Sequence, residues 1–433
     1  MVQDHAPVAL KQMDAPEPVI GKRHVVILTI EGLGCNLVGS YGGAIAPTKN
    51  WDSFASRAIV FDQYWADTLL PYDVLESMWS GTHFGSRQGN QVASPMQWED
   101  GLLVTDSLSL VENMDRDAFG DVLFAETSDS TEGESGTTHI EQLIETALGA
   151  WANQLSDYPF LWIHSKGLSG KWDAPYEYRM VMCDDGDPDP PRETEPASLR
   201  IMPNTDPDEI FGWACAAGGQ SIAYDDAWSI IENALGELGL AESSLLVLAG
   251  VAGFPMGEHG WVGTAGQSLY AETIHLPLII RPGHQLDLGI RVPFMVQPHM
   301  IASTIRSWLG GNKAIGESAS PMDLVTQTDA FAAEHWPPAN QVACSLFQDQ
   351  IHVAVPAWSC RWECNRDQTE LPQEKAELFA MPDDRWQQNE ISQRALEVLE
   401  SMVQVRAGLL DNLRSGSLAN SDALPKELIN PQR

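Results

Sequence analysis

Basic residues are scarce in this chain: 25 lysines and arginines face 60 aspartates and glutamates over 433 residues, a formal net charge of −35. A field of that sign repels nucleic-acid phosphates and anionic membrane surfaces, so neither is an expected partner. It also works against an anionic ester as substrate unless a local basic pocket overrides it, and the same acidity serves solubility or a saline habitat. No stretch approaches the roughly 18 uninterrupted apolar residues of a membrane span, and a soluble protein is expected. The opening "MVQDHAPVALKQMDAPEPVIGKR" lacks the apolar core and cleavage pattern of a secretory signal, which makes the cytoplasm the expected location. Cysteine is sparse and scattered. Of the six, Cys35, Cys183, Cys215, Cys344, Cys360 and Cys364, only the last two stand close, and a C-x3-C pair without a second pair or nearby histidines reads as reduced structural thiols. No internal repeat is present.

What is there is a regular alternation. "HVVILTI" (24–30) is a near-continuous β-branched run, the pattern of a strand buried on both faces. "GLLVTDS" (101–107), "DVLFAET" (121–127), "PFLWIHS" (159–165), "SLLVLAG" (244–250) and "LPLIIRPG" (276–283) read as further strands. Helical spacing marks 73–81, with Asp73 as N-cap, Glu76 completing a capping box and Gly81 as stop, and also 138–155 and 221–240. Residues 183–209, rich in Pro and Asp, predict a long surface loop, and prolines break the spacing that a calcium-binding reading of "DDGDPD" needs. Beyond residue 311 come a loop-rich stretch (312–345), short antiparallel strands at 350–364 and 376–384, and a closing amphipathic helix at 391–413. The expected fold is α/β, a doubly wound, mostly parallel sheet over 23–311, with a lead-in at 1–22 and a smaller C-terminal α+β subdomain at 312–433. Chemistry in such a sheet sits beyond the carboxyl ends of the strands, here the loops 31–35, 68–73, 165–171 and 251–260.

The segments "ILTIEGLGCNLVGSYGG" (27–43), "TKNWDSFASRAIVFDQYWA" (48–66), "WDAPYEYR" (172–179), "AYDDAWSIIENALGELGLAESSLLVL" (223–248), "GEHG" (257–260), "SLYAETIHLPLIIRPG" (268–283) and "AELFAMPDDRWQQNEIS" (376–392) follow one another in a familiar order. In that order the chain resembles the sulfatases of the alkaline-phosphatase superfamily, over roughly residues 24–411. The resemblance implies that family's α/β fold and a metal-assisted hydrolysis of sulfuric or phosphoric esters. It also implies where the parts belong, and most are replaced. Two metal-binding aspartates correspond to Glu31 and Gly32, and a second ligand pair corresponds to Val251 and Ala252. The nucleophile, a cysteine or serine matured to formylglycine in a C/S-x-P-x-R motif, corresponds to Pro71, and the motif's arginine to Leu75. Proline cannot attack, and apolar side chains cannot hold a hard cation. The family's lysine before "SLY" is missing from "TAGQ" (264–267), and its histidine before the "WDAP" segment corresponds to Ser169, with Lys171 two residues on. The implied protein is catalytically degenerate, with a binding, scaffold or regulatory role and no cofactor. A divalent cation, calcium or magnesium, belongs only to the alternative of an active hydrolase or transferase with rearranged residues.

Candidates for that alternative are Glu31, His164, Lys166, Lys171 and His259. Each has a plainer reading. Glu31 serves as a solvated carboxylate or helix cap, His164 as strand-end packing, and the adjacent Glu258 and His259 as groups satisfying turn backbone. Thr68 and Ser77 are hydroxyls near the nucleophile position, one before the helix and one a turn inside it. Lys166 and Lys171 form a small basic patch suited to an anion. Expected partners are an unidentified protein or an anionic small-molecule or carbohydrate ligand, for which Trp65, Trp172 and Trp261 are the aromatic candidates.

Overall fold

The computed structural model describes residues 22–87, 97–126, 136–264, 266–283, 288–310, 320–321, 336–364, 374–416 and 423–430. The lead-in through residue 21 and most of 312–335 lie outside them. In chain order the strands are β1 (His24–Gly32), β2 (Ile59–Trp65), β3 (Trp98–Thr105), β4 (Phe119–Phe124), β5 (Phe160–Ser165), β6 (Ser198–Arg200), β7 (Ser244–Gly253), β8 (Trp261–Gly263), β9 (His275–Leu276), β10 (Leu278–Arg281) and β11 (Ile290–Val296). Four more follow near the C-terminus, β12 (Ala343–Phe347), β13 (Gln350–Val355), β14 (Trp358–Cys364) and β15 (Glu374–Ala380).

The main sheet has nine strands in the order β11-β2-β10-β7-β1-β5-β3-β4, with β9 beside β2. β1 lies at its centre between β5 and β7, parallel to both, and only Glu31 of its residues escapes full burial. Alternate β1 side chains feed opposite faces. Val26, Leu28 and Ile30 pack under the helices Lys49–Ala55 (α1), His139–Ala152 and Pro207–Glu237, while Val25 and Ile27 face a second cluster that includes Val74, Leu75 and Met78 of α2 (Pro71–Ser80). β12 to β15 form a separate antiparallel sheet covered by the helix Leu396–Ser415, with Val353, Cys360, Trp362 and Met402 between them. This is the expected α/β architecture, a mostly parallel sheet between helices with a smaller α+β unit after it.

Three local expectations need correction. β10 runs antiparallel to both neighbours, because the chain leaves β7 at the carboxyl edge and re-enters through β9 at that same edge without a crossover. α2 starts at Pro71 with Leu70 as N-cap and no side-chain cap, so Asp73 sits inside the first turn rather than capping it; proline at the first helical position has the right φ and no N–H to satisfy. The 183–209 stretch is not all loop: β6 pairs with β8, and the helix expected from 221 begins at Pro207, capped by the Asp206 side chain on Asp208 N–H. Gly212, Gly218 and Gly219 disguise that first half in the sequence, since glycine argues against helix unless another backbone must come close.

Candidate functional site at the carboxyl edge of the sheet

β1 and β7 end side by side, with Glu31 opposite Ala252 and Gly32 opposite Gly253 across a register shift after Ile30. Topology therefore does bring the four ligand-equivalent positions together. Their surroundings are closed. Gly32 has φ +78°, and a Cβ built there would lie 2.7 Å from Leu168 Cβ, so the space of an aspartate side chain is already filled. Leu168 belongs to the turn after β5, which approaches so closely that a Cβ on Gly167 would lie 2.0 Å from the Glu31 carbonyl oxygen. Val251 is fully buried, in the same apolar cluster as Val74 and Leu75 of α2. A hard divalent cation needs about six oxygen ligands. Of these four positions only Glu31 offers a side-chain oxygen, so the residues present do not fit the family's cation. Among the described residues, no group of three or more His, Cys, Asp or Glu side chains is arranged to hold a metal.

At the nucleophile position Pro71 presents only ring carbons, and Leu75 is buried. Thr68 and Ser77 are both fully buried, and Ser77 Oγ is engaged twice, donating to Asp67 Oδ2 at 2.6 Å and accepting from Arg87 Nη2 at 3.0 Å. Arg87 is the guanidinium that reaches this helix. Its charge is met by Glu76 and Asp73, which leaves it committed to α2 rather than to an incoming anion.

One strand over, the edge is polar. His164 Nε2 lies 3.2 Å from Glu31 Oε1, and its Nδ1 lies 3.1 Å from Thr29 Oγ1. Thr29 Oγ1 accepts from Trp162 Nε1 at 2.9 Å and also lies 3.2 Å from the Ile163 carbonyl oxygen, so one hydroxyl ties the His164 ring to two neighbouring backbone and side-chain groups of β5. Asp106, just past β3, accepts from the Lys166 backbone N–H at 2.8 Å and from Ser165 Oγ at 3.1 Å, and Ser165 Oγ meets Tyr224 Oη at 3.3 Å. Burial raises the Asp106 pKa, against the opposing pull of the Lys166 N–H and of His164. Asp106 was not among the candidates from sequence, although an acid directly after an apolar strand at this edge is the same signal that marked Glu31.

Glu258 and His259 turn away from one another. Glu258 accepts from Met256 N–H at 2.6 Å and from Asn36 Nδ2 at 3.0 Å, holding its own turn. His259 Nδ1 lies 2.8 Å from Glu272 Oε1, its Nε2 lies 2.9 Å from the Gln387 carbonyl, and the ring stacks on Tyr270 at 3.6 Å. Both partners accept, so both ring nitrogens donate. Burial alone would lower the His259 pKa, but the Glu272 hydrogen bond and charge outweigh it and the net shift is upward. Lys166 and Lys171 flank the β5 turn, both half-buried. Trp65 and Trp172 are fully buried, Trp65 stacked between His275 and His352, while Trp261 is partly exposed with the Arg200 guanidinium over its ring at 5.5 Å.

No protein-family model and no curated protein matches the sequence. Solved structures do match in fold. A protein in complex with its substrate D-glucosamine-2-N,6-O-disulfate superposes with a TM-score of 0.71 at 13% identity, covering 93% of this chain and 100% of that one. A phosphonate monoester hydrolase of Agrobacterium radiobacter gives 0.67 at 13% identity, over 91% and 96%. A protein solved with k-i-k-neocarrahexaose gives 0.62 at 13% identity, over 92% and 95%. The chain thus has the fold of the sulfatases and phosphonate monoester hydrolases along nearly its whole length. Among the described residues no helix is long and apolar enough to cross a membrane.

Proposed function

We propose that this protein is a divergent, catalytically degenerate sulfatase-type chain that binds a ligand or partner from a cytoplasmic location without hydrolysing an ester. The observation that carries this reading is the filled cation position, with Leu168 against Gly32, Val251 sealed under α2, and Pro71 where the attacking atom would be. A transferring sulfuryl or phosphoryl group needs its charge neutralised, and Gly32, Pro71, Val251 and Ala252 offer no side-chain group to do it. Two structures of the same fold were solved with sugars, a disulfated glucosamine and a neocarrahexaose, and the exposed Arg200 beside Trp261 is a combination suited to a sulfated sugar. The test has two arms. Metal analysis with assays on aryl sulfate, phosphate and phosphonate esters is expected to give neither stoichiometric divalent metal nor metal-dependent turnover, whereas calorimetry with D-glucosamine-2-N,6-O-disulfate is expected to show binding weakened by Arg200→Ala. Metal-dependent turnover overturns the reading.

A second reading rests on the Glu31–His164 contact with Asp106 close behind: an ester hydrolase or transferase whose acid–base chemistry has moved to the β1/β5/β3 corner. It requires metal-independent turnover that Glu31→Gln abolishes and that follows a single ionisation in its pH profile.

A further inference from the structure

Cys183 and Cys215 are 32 residues apart, yet their Sγ atoms lie 3.9 Å from each other, in van der Waals contact. The seam that holds them is unusually close. On the helix Pro207–Glu237, Cys215 is flanked at helical spacing by Gly212, Gly218 and Gly219. A Cβ on Gly219 would lie 2.8 Å from Arg179 N, one on Gly218 would lie 2.8 Å from Met182 Cε, and one on Gly212 would lie 3.2 Å from Pro191 Cδ. The facing segment is pinned as well, by Arg179 donating to the Pro191 and Glu193 carbonyls and by Tyr176 Oη donating to the Pro190 carbonyl. Glycine on three sides of one cysteine brings the second backbone close enough for sulfur to meet sulfur.

We propose that Cys183 and Cys215 are a modification site: an intrachain disulfide that closes the 183–215 excursion at its base, formed by exchange with a small-molecule disulfide. The sulfurs must approach by about 2 Å to reach the covalent S–S length, the scale of a side-chain rotation. Cys183 is partly exposed and Cys215 is buried, which assigns the order of events. The Cys183 thiolate attacks one sulfur of the small disulfide, forming a mixed disulfide and releasing one thiolate. Cys215 then attacks the Cys183 sulfur, its proton passing to the second departing thiolate, so two protein thiols and one disulfide become one protein disulfide and two small thiols. Burial, with the neighbouring Cys183, pushes the Cys215 thiol up to about 12, which disfavours it as the initiating thiol. The closed bond anchors the chain that carries Arg200 to its place against Trp261. The inference does not depend on the proposed ligand or on the loss of hydrolysis, and in a cytoplasmic protein the bond is a reversible one that replaces the reduced state read from the sequence.

The experiment treats the full chain with oxidised glutathione, followed by non-reducing peptide mapping. The expected result is a loss of two thiols, a peptide pair joined through Cys183 and Cys215, and full recovery with dithiothreitol. After nicking within 184–209, the two halves should stay together until reduced. Cys215→Ser should trap a stable glutathione adduct at Cys183, and Cys183→Ser should leave Cys215 unmodified. A wild-type chain that stops at the glutathione adduct, joins other cysteines, or does not react overturns the proposal, and none of these readouts requires activity.

Discussion

Between β1 and β7 the carboxyl edge is apolar and closed, with Gly32 against Leu168 and Val251 packed beneath α2. Between β1, β5 and β3 the same edge is polar and hydrogen-bonded, from Glu31 through His164 to Thr29, with Asp106 holding the turn after β5. Both corners are ends of parallel strands, but β1 meets β7 across a register shift after Ile30, whereas β1, β5 and β3 pair in unbroken register. They differ further in what fills them. At the closed corner a buried leucine and valine occupy the space, and close packing holds them there. The polar corner keeps each side chain because removing one partner strands another away from water.

That contrast can be broken at several points. The largest effect is expected from Val251→Asp, which sets an unpaired carboxylate in the apolar cluster under α2 and should cost about 4 kcal/mol, read by urea unfolding, with no gain in calcium or magnesium affinity. Gly32→Ala tests the same corner by volume and backbone. Its left-handed φ and the contact with Leu168 should together cost about 2 kcal/mol, whereas a cost near zero would mean that the turn after β5 moves freely and the corner is open. On the polar side His164→Leu keeps the bulk but leaves Glu31 and Thr29 each short of one partner, a loss of about 1–2 kcal/mol that Glu31→Leu in the same chain should partly relieve.

The smallest expected effect is a pH slope. His259 has its pKa raised above 6.5 in the folded protein, so the stability that its contacts with Glu272 and Gln387 contribute is fully present below pH 6.5 and is lost as pH rises through the raised value. Unfolding midpoints measured from pH 6 upward should fall in the wild type, and His259→Gln should flatten that fall. A polar corner that tolerated His164→Leu, beside a closed corner that tolerated Val251→Asp, would erase the distinction between them.

Much of this was legible in the sequence because it is local. The apolar run at 24–30 reads as a doubly buried strand, and the amphipathic spacing at 138–155 marks the helix found at His139–Ala152. The Pro207 helix was half hidden because glycine lowers helix propensity, and only the approach of Arg179 and Met182 explains why glycine stands there. Asp106 went unnoticed because nothing near it in the chain says that Lys166 and Ser165 lie across from it. Glu258 and His259 read as groups that satisfy their turn, and Glu258 does so through Met256 N–H, whereas His259 reaches out of the turn to Glu272 and Gln387.

Composition and order alone settled the net charge, the succession of strands and helices, and the lack of side-chain oxygens at positions 32, 251 and 252, because a side chain without oxygen has none in any conformation. Folding decided whether the vacated space stayed open, which acid joined His164, and which two sulfurs met. Those outcomes depend on distances between segments far apart in the chain, and no local pattern encodes how closely two backbones will pack.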